Sequence, residues 1–108
     1  MNYCVEVLEA AREDIDDIYL YIADQLQSPL AAMRRVALIE QAIQSLNEKP
    51  GRFPLVRDDC LALEGYRMII VKNHLVFFIV CEENRIVSVV RVLYGRRNWQ
   101  SILKMEQT

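Results

Sequence analysis

Three arginines and two aromatics fall within nine residues in RVLYGRRNW, Arg91 to Trp99. Guanidinium suits bidentate contact with phosphate or carboxylate and stacks on flat groups. Arginine outnumbers lysine ten to three along the chain, so anion recognition is the chemistry its composition offers most readily. The competing use of any one arginine is an ordinary surface ion pair. Arg96 and Arg97 follow Gly95 in a turn and precede a predicted helix start at Asn98. Two cations at a helix N-terminus oppose the helix dipole. Helix stability therefore does not account for them, whereas an anionic ligand or partner does. Arg67, Arg91, Arg96 and Arg97, with Tyr94 among them, are the candidate residues of a surface that meets an acidic partner or a nucleic acid.

Other chemistry finds little support. Cys4, Cys60 and Cys81 are widely spaced, form no CxxC pair, and accompany a single histidine, His74. Neither a zinc site nor a disulfide framework is expected, and a reducing cytoplasm fits. The serines lie in no nucleophile-elbow or triad context, and no Gly-rich phosphate loop occurs. An enzyme built from this chain would rely on cations, with His74 or a tyrosine for acid–base work. Glu13, Asp14, Asp16 and Asp17 fall early in a predicted helix, where acids suit the dipole without a metal. No cofactor and no metal are expected, and no catalytic residue is identified.

The elements that position these groups follow from periodicity. At 108 residues the chain reads as one domain, residues 1–108. Its longest uncharged apolar runs are about seven residues against the roughly 20 needed to cross a bilayer, so no membrane segment is expected. The N-terminus has no basic segment followed by an apolar stretch, so no secretory signal is expected. Tyr3 to Leu8 alternates as a short strand. Ile15, Ile18, Ile22 and Leu26 mark one stripe of a first helix. Ser28-Pro29 reads as an N-cap with proline at the first helical position. A second helix then runs from Pro29 to Glu48, with Met33, Val36, Ile39, Ile43 and Leu46 on its stripe. Lys49-Pro50-Gly51 stops it, and two helices with so short a link should pair antiparallel.

Residues 52–63 read as a loop with a short strand near Phe53 to Val56. Three strands follow, Tyr66 to Lys72, Leu75 to Glu82 and Ile86 to Tyr94, turning at Asn73-His74 and Glu83-Asn84. Asn98 to Met105 reads as a last short helix capped by Asn98. The expected fold is α+β: an N-terminal strand, then an antiparallel helical hairpin packed on a curved, mostly antiparallel sheet, then a short C-terminal helix. The first strand should lie parallel to the last or at an edge.

Alternation puts Arg67 on a face with Ile69 and Val71, and Arg91 on a face with Val87, Val89 and Leu93. An unpaired guanidinium on an apolar face is costly. Each requires a carboxylate, with Asp58, Asp59, Glu64 and Glu82 as candidates, or a face open to an anion.

Net charge is −2, which argues against nucleic-acid binding by bulk charge. Residues 1–49 hold four basic and nine acidic side chains; residues 50–108 hold nine and six. The cationic half is the one that carries RVLYGRRNW.

The segments ARED-IDDIYLYIADQL, AAMRRVALIEQAIQSLNEKPGRFPLV, GYRMIIVKNHLVFFIV and RIVSVVRVLYGRR together resemble the RelE/ParE superfamily of toxins from bacterial type II toxin–antitoxin systems. The most specific part is Gly-Tyr-Arg, a phenylalanine-containing strand, then Arg-Val-Leu-Tyr. The resemblance implies the same helical hairpin on a sheet. RelE-type members cleave mRNA on the ribosome with sheet arginines and lysines and a C-terminal tyrosine. Aligned on that pattern, the middle-strand arginine falls at Leu75 and the tyrosine near Leu103. Arg67 falls where a lysine is common, and Arg97 near the other arginine. Tyr94 and His74 are the groups left to substitute. IDDIYLYIA and GYR…NHLVFFIV…VVRVLY are more similar to the ParE type, which inhibits DNA gyrase by binding it.

The resemblance therefore implies a gyrase-directed toxin associated with growth inhibition and plasmid stabilization, with ribosome and mRNA as the alternative target. It also implies a cognate antitoxin, in a possible higher-order toxin–antitoxin assembly. Both faces of the sheet read as apolar while one helical hairpin is available to cover them, so strands Leu75 to Glu82 and Ile86 to Leu93 should leave apolar surface for that partner. The alternative is that the tail helix covers the second face.

Overall fold

The computed structural model describes residues 2–106. Strand β1 (Cys4–Val7) leads into α1 (Glu9–Gln25) and α2 (Pro29–Gln44), followed by single 3₁₀ turns at Ser45–Asn47 and Pro50–Arg52. A short helix α3 (Asp59–Leu63) precedes β2 (Arg67–Val71), β3 (His74–Cys81) and β4 (Ile86–Tyr94), and α4 (Trp99–Glu106) closes the described chain. The sheet order is β1-β4-β3-β2. β1 runs parallel to β4 at an edge, and the other two pairings are antiparallel. This is the expected α+β architecture.

Local chemistry explains the boundaries. Ser28 accepts a hydrogen bond from the Ala31 N–H at 3.1 Å and Pro29 opens α2, as its sequence predicts. The Asn98 side chain accepts from the Ser101 N–H at 3.3 Å and starts α4. After α2 the chain bends away through Lys49 at φ +45° into Pro50. Arg52 holds this exit by donating to the carbonyls of Ser45, Glu48 and Lys49. α3 lies in the segment read as a loop: Asp58 caps it by accepting from the Leu61 N–H at 3.2 Å. The expected strand near Phe53 to Val56 shrinks to one bridge between Leu55 and Arg67. The β2–β3 turn falls at Lys72 and Asn73, one residue earlier than expected, with Lys72 at φ +57° and His74 already in β3.

Each face of the sheet has its own core. The hairpin face packs Ala11, Ile39, Ile43 and Leu46 on Ile69, Val71, Val76, Phe78, Val87, Val89 and Val92, with Ile15 and Ile18 against them. The second face packs Val56, Leu61, Tyr66 and Leu103 on Leu75, Phe77 and Leu93, with Trp99 and Ile102 alongside. Leu61, Phe77, Leu93 and Leu103 are essentially fully buried there, each contributing about 1.5–3 kcal/mol of apolar transfer. The Trp99 ring lies 5.1 Å from the Phe77 ring. A Lys104–Asp58 ion pair at 3.1 Å ties α4 to α3. The second face is thus closed by α3 and α4. The expected shortage of cover on β3 and β4 is not found, because a five-residue helix missed in the sequence joins the tail helix in covering it.

A bulge decides where the β4 side chains point. Phe77 pairs with Arg91 and Phe78 with Val89, so Val90 is the extra residue. Val87 and Val89 face the hairpin, whereas Leu93 faces the second core. The single face expected for Arg91, Val87, Val89 and Leu93 is therefore broken, since an unpaired residue shifts the period-two alternation.

Candidate functional site at the turn end of the helical hairpin

The five candidate residues separate into two groups. Arg67 and Arg91 are half-buried and internally bonded. Arg67 donates to the carbonyls of Phe53 at 2.6 Å and Gly51 at 3.3 Å, which pins the chain leaving α2 against β2. Its partners are backbone oxygens, and neither a carboxylate nor an open face, the two alternatives read from sequence, is what holds it. Arg91 donates from Nε and Nη2 to Asp14 at 2.7 and 2.8 Å, and from Nη1 to Glu106 at 2.6 Å. Asp14 also accepts the Val92 N–H at 2.9 Å. β1 stops pairing with β4 at Val89, so this carboxylate satisfies a β4 backbone donor beyond the end of β1. These hydrogen bonds, the one to Asp14 first, raise the Arg91 pKa above its ordinary value.

None of the four carboxylates suggested by sequence pairs with either arginine. Asp58 pairs with Lys104, and Glu82 accepts from the Tyr3 hydroxyl at 2.7 Å. The true partners come from α1 and α4, and only folding brings them to the bulge. The acidic cluster on α1 likewise does more than suit the dipole: Asp14 is buried and bonded, while Glu13, Asp16 and Asp17 stay exposed.

Tyr94, Arg96 and Arg97 are exposed at the end of β4 and in the turn beyond it. Among the described residues, neither Arg96 nor Arg97 has an ion-pair partner. Gly95 sets the start of the turn. Its N–H donates to the Asn73 carbonyl at 2.9 Å, and an added Cβ would lie 3.4 Å from that oxygen, so the two turns sit against each other.

This turn borders an open groove of about 810 Å³ between the turn end of the hairpin and the ends of β3 and β4. Asp17, Ile18, Tyr21 and Leu26 from the α1 side and His74, Tyr94 and Arg97 from the sheet side are among the residues that line it. Tyr21 and Leu26 are 67% and 66% exposed, and Leu20, Leu30 and Met33 are exposed beside them. Leu26 and Met33 therefore fall off the buried stripes assigned to them in the sequence. α1 ends at Gln25, so Leu26 lies beyond the helix at its C-cap, and Met33 lies early in α2.

Sequence reasoning missed Arg35 of α2, which lines this groove. Its Nη1 donates to Asn73 Oδ1 at 2.7 Å and lies 3.2 Å from His74 Nδ1. That geometry makes Nδ1 the acceptor, hence the unprotonated nitrogen. Burial, and then the neighbouring guanidinium, lower the His74 pKa from its ordinary value. The ring packs edge-on against Tyr94 at 5.9 Å. A signal was available, since Arg35 is a charged residue between stripe positions Met33 and Val36, but its partners lie 38 and 39 residues away. Among the described residues no group of His, Cys, Asp and Glu forms a metal site, and no helix is long and apolar enough to cross a membrane.

The fold is shared with chains of known toxin–antitoxin systems. A chain of the chromosomal ParDE toxin–antitoxin system of P. aeruginosa superposes with a TM-score of 0.70 at 17% identity, covering 85% of this chain and 95% of that one. A chain of the RelBE2 toxin–antitoxin complex of Mycobacterium tuberculosis gives 0.63 at 17% identity, covering 87% and 99%. An arginine double mutant of the E. coli toxin RelE in its free state gives 0.64 at 14% identity, covering 99% and 98%. A sequence comparison with curated proteins gives no significant match. The fold is that of the RelE/ParE superfamily. The family model described as the ParE toxin of the type II toxin–antitoxin system, parDE, matches residues 5–99, and the chain belongs to that family.

Proposed function

We propose that this chain is a single toxin unit that inhibits DNA gyrase by binding it, is neutralised by a cognate antitoxin, and has no RNA-cleaving chemistry of its own. The observation that carries the reading is the burial of Leu75 and Leu103. These are the positions where the resemblance puts a nuclease arginine and tyrosine. Leu75 is 8% exposed and Leu103 is 0% exposed, and both pack in the second core. A leucine there cannot donate to a phosphate or transfer a proton.

The surface left to meet a target is Tyr94, Arg96 and Arg97. Arg67 and Arg91 hold the strands and loops that present it. A cytoplasmic setting fits the three free thiols. The test is paired: gyrase supercoiling with ATP, and cleavage of mRNA on translating ribosomes, both with the purified chain. Loss of supercoiling with intact mRNA is expected. Site-specific mRNA cuts with unaffected gyrase would overturn the reading in favour of a RelE-like endonuclease.

A further inference from the structure

Two turns meet at one end of the sheet. Lys72 and Asn73 join β2 to β3, and Gly95 opens the turn after β4. The Gly95 N–H donates to the Asn73 carbonyl at 2.9 Å, and Arg35 donates to the Asn73 side chain at 2.7 Å. The turns are thereby held against each other, and their three cations, Lys72, Arg96 and Arg97, are all exposed. Among the described residues none of these three has an ion-pair partner, and neither does Arg35 beside them. The acids that line the neighbouring groove do not supply one. Asp14 is taken by Arg91 and the Val92 N–H, and Asp17 pairs with none of the four. Like charges gathered without counter-charges repel, and an external anion relieves that repulsion.

The residues of the two turns say which kind of anion. Besides the cations they hold Asn73, Gly95 and Asn98, so the turns themselves offer no apolar anchor. Protein interfaces place aromatic and aliphatic side chains at the centre and charge at the rim. Single-stranded nucleic acid calls for aromatic platforms on which bases stack. Trp99 instead lies against Phe77 in the second core, and Tyr94 packs edge-on against His74. A surface of charge alone, on turns too short to enter a groove, suits the phosphate backbone of a duplex, which Lys and Arg contact without reading bases. The net charge of −2, with exposed Glu82 and Glu83 at the far end of β3, confines such a contact to this end of the chain.

We propose that Lys72, Arg96 and Arg97 contact the phosphate backbone of duplex DNA, whatever its sequence, and that the toxin therefore engages gyrase together with the DNA that gyrase holds. The second part rests on the gyrase reading above. The first stands on the charges of this chain and is tested without gyrase.

Purified toxin is titrated into a labelled duplex of about 30 base pairs over a range of salt concentrations. With three phosphates neutralised, the logarithm of the binding constant should fall against the logarithm of salt with a slope of about −2.7, and equally for duplexes of unrelated sequence. Lys72→Ala, Arg96→Ala and Arg97→Ala should each reduce that slope by about 1, with unchanged thermal melts. Arg12→Ala, in a different cleft beside β1, should leave it unchanged. Toxin should also bind gyrase roughly 10-fold more tightly when gyrase holds a duplex, and the triple alanine variant should lose that gain. Wild-type toxin that fails to bind the duplex at low salt, or whose slope the three substitutions leave unchanged, would overturn the proposal; inhibition of supercoiling by the same preparation would leave the gyrase reading standing. Duplex binding with supercoiling untouched would overturn the gyrase reading and the second part, and support the first. Tighter binding to single-stranded RNA of equal charge, or equal affinity for bare and DNA-bound gyrase that the substitutions weaken alike, would show a different partner and also overturn the proposal.

Discussion

Asp14 gives the most direct test of how this fold is held. Its carboxylate accepts two hydrogen bonds from Arg91, at 2.7 and 2.8 Å, and one from the Val92 N–H at 2.9 Å. The two side chains are 10% and 16% exposed, so solvent replaces little of what is lost. Removing one partner of a buried pair costs about 3–5 kcal/mol, and an orphaned buried N–H about 1–3 kcal/mol. Glu106 remains on Arg91 after Asp14→Ala and offsets part of this, so a total of about 3–4 kcal/mol is expected. At this chain length that lowers Tm by about 12–25 °C.

Asp14→Asn keeps the shape and one acceptor and should cost about half as much. Glu106→Ala should cost about 1 kcal/mol or less, because its side chain is 44% exposed. The assay is urea unfolding at 25 °C followed by circular dichroism, with a double-mutant cycle against Arg91→Met expected to give a coupling of about 2 kcal/mol. Asp14→Ala within about 1 kcal/mol of wild type, or no costlier than Glu106→Ala, would refute the assignment of this carboxylate as the tie between α1 and β4.

His74 predicts a pH dependence. Its folded pKa is depressed by burial and by Arg35, so the unfolded state takes up the proton first as pH falls below about 6.5. The contribution of neutral His74 to stability is full above that pH and is lost as pH drops toward the folded pKa. Melts at pH 7.5 and pH 5.5 should therefore show a larger loss for wild type than for His74→Asn; equal losses would remove His74 as the cause. Arg96→Ala combined with Arg97→Ala should abolish growth inhibition while changing stability by about 0.5 kcal/mol or less, as for other exposed positions. A double variant that is fully folded and fully toxic would leave that turn with solvated charges and no target role.

Local rules carried most of the fold. The caps at Ser28 and Asn98, the proline and glycine after the second helix, and the alternation of the three strands depend on residues within a few positions of one another, so they are legible one segment at a time. The resemblance of GYR, the phenylalanine strand and RVLY also points to the superfamily without any coordinates. Arg91 of the opening stretch was legible as a problem of compensation. Its solution was not, because it rests on contacts beyond local reach: Asp14 across 77 positions and Glu106 across 15.

The bulge at Val90 and the five-residue helix at Asp59–Leu63 are similar cases. Neither has a period long enough to read, and each changes what faces what. The bulge splits the apolar row of β4 between two cores. The short helix joins α4 in closing the second face, which moves the exposed apolar surface from the sheet to the hairpin turn. Side-chain type and spacing thus determined the elements and the family, while the tertiary structure decided which cations are spent internally and which still face outward. The physical reason is that a guanidinium's partner is set by distance in space, which local sequence does not encode.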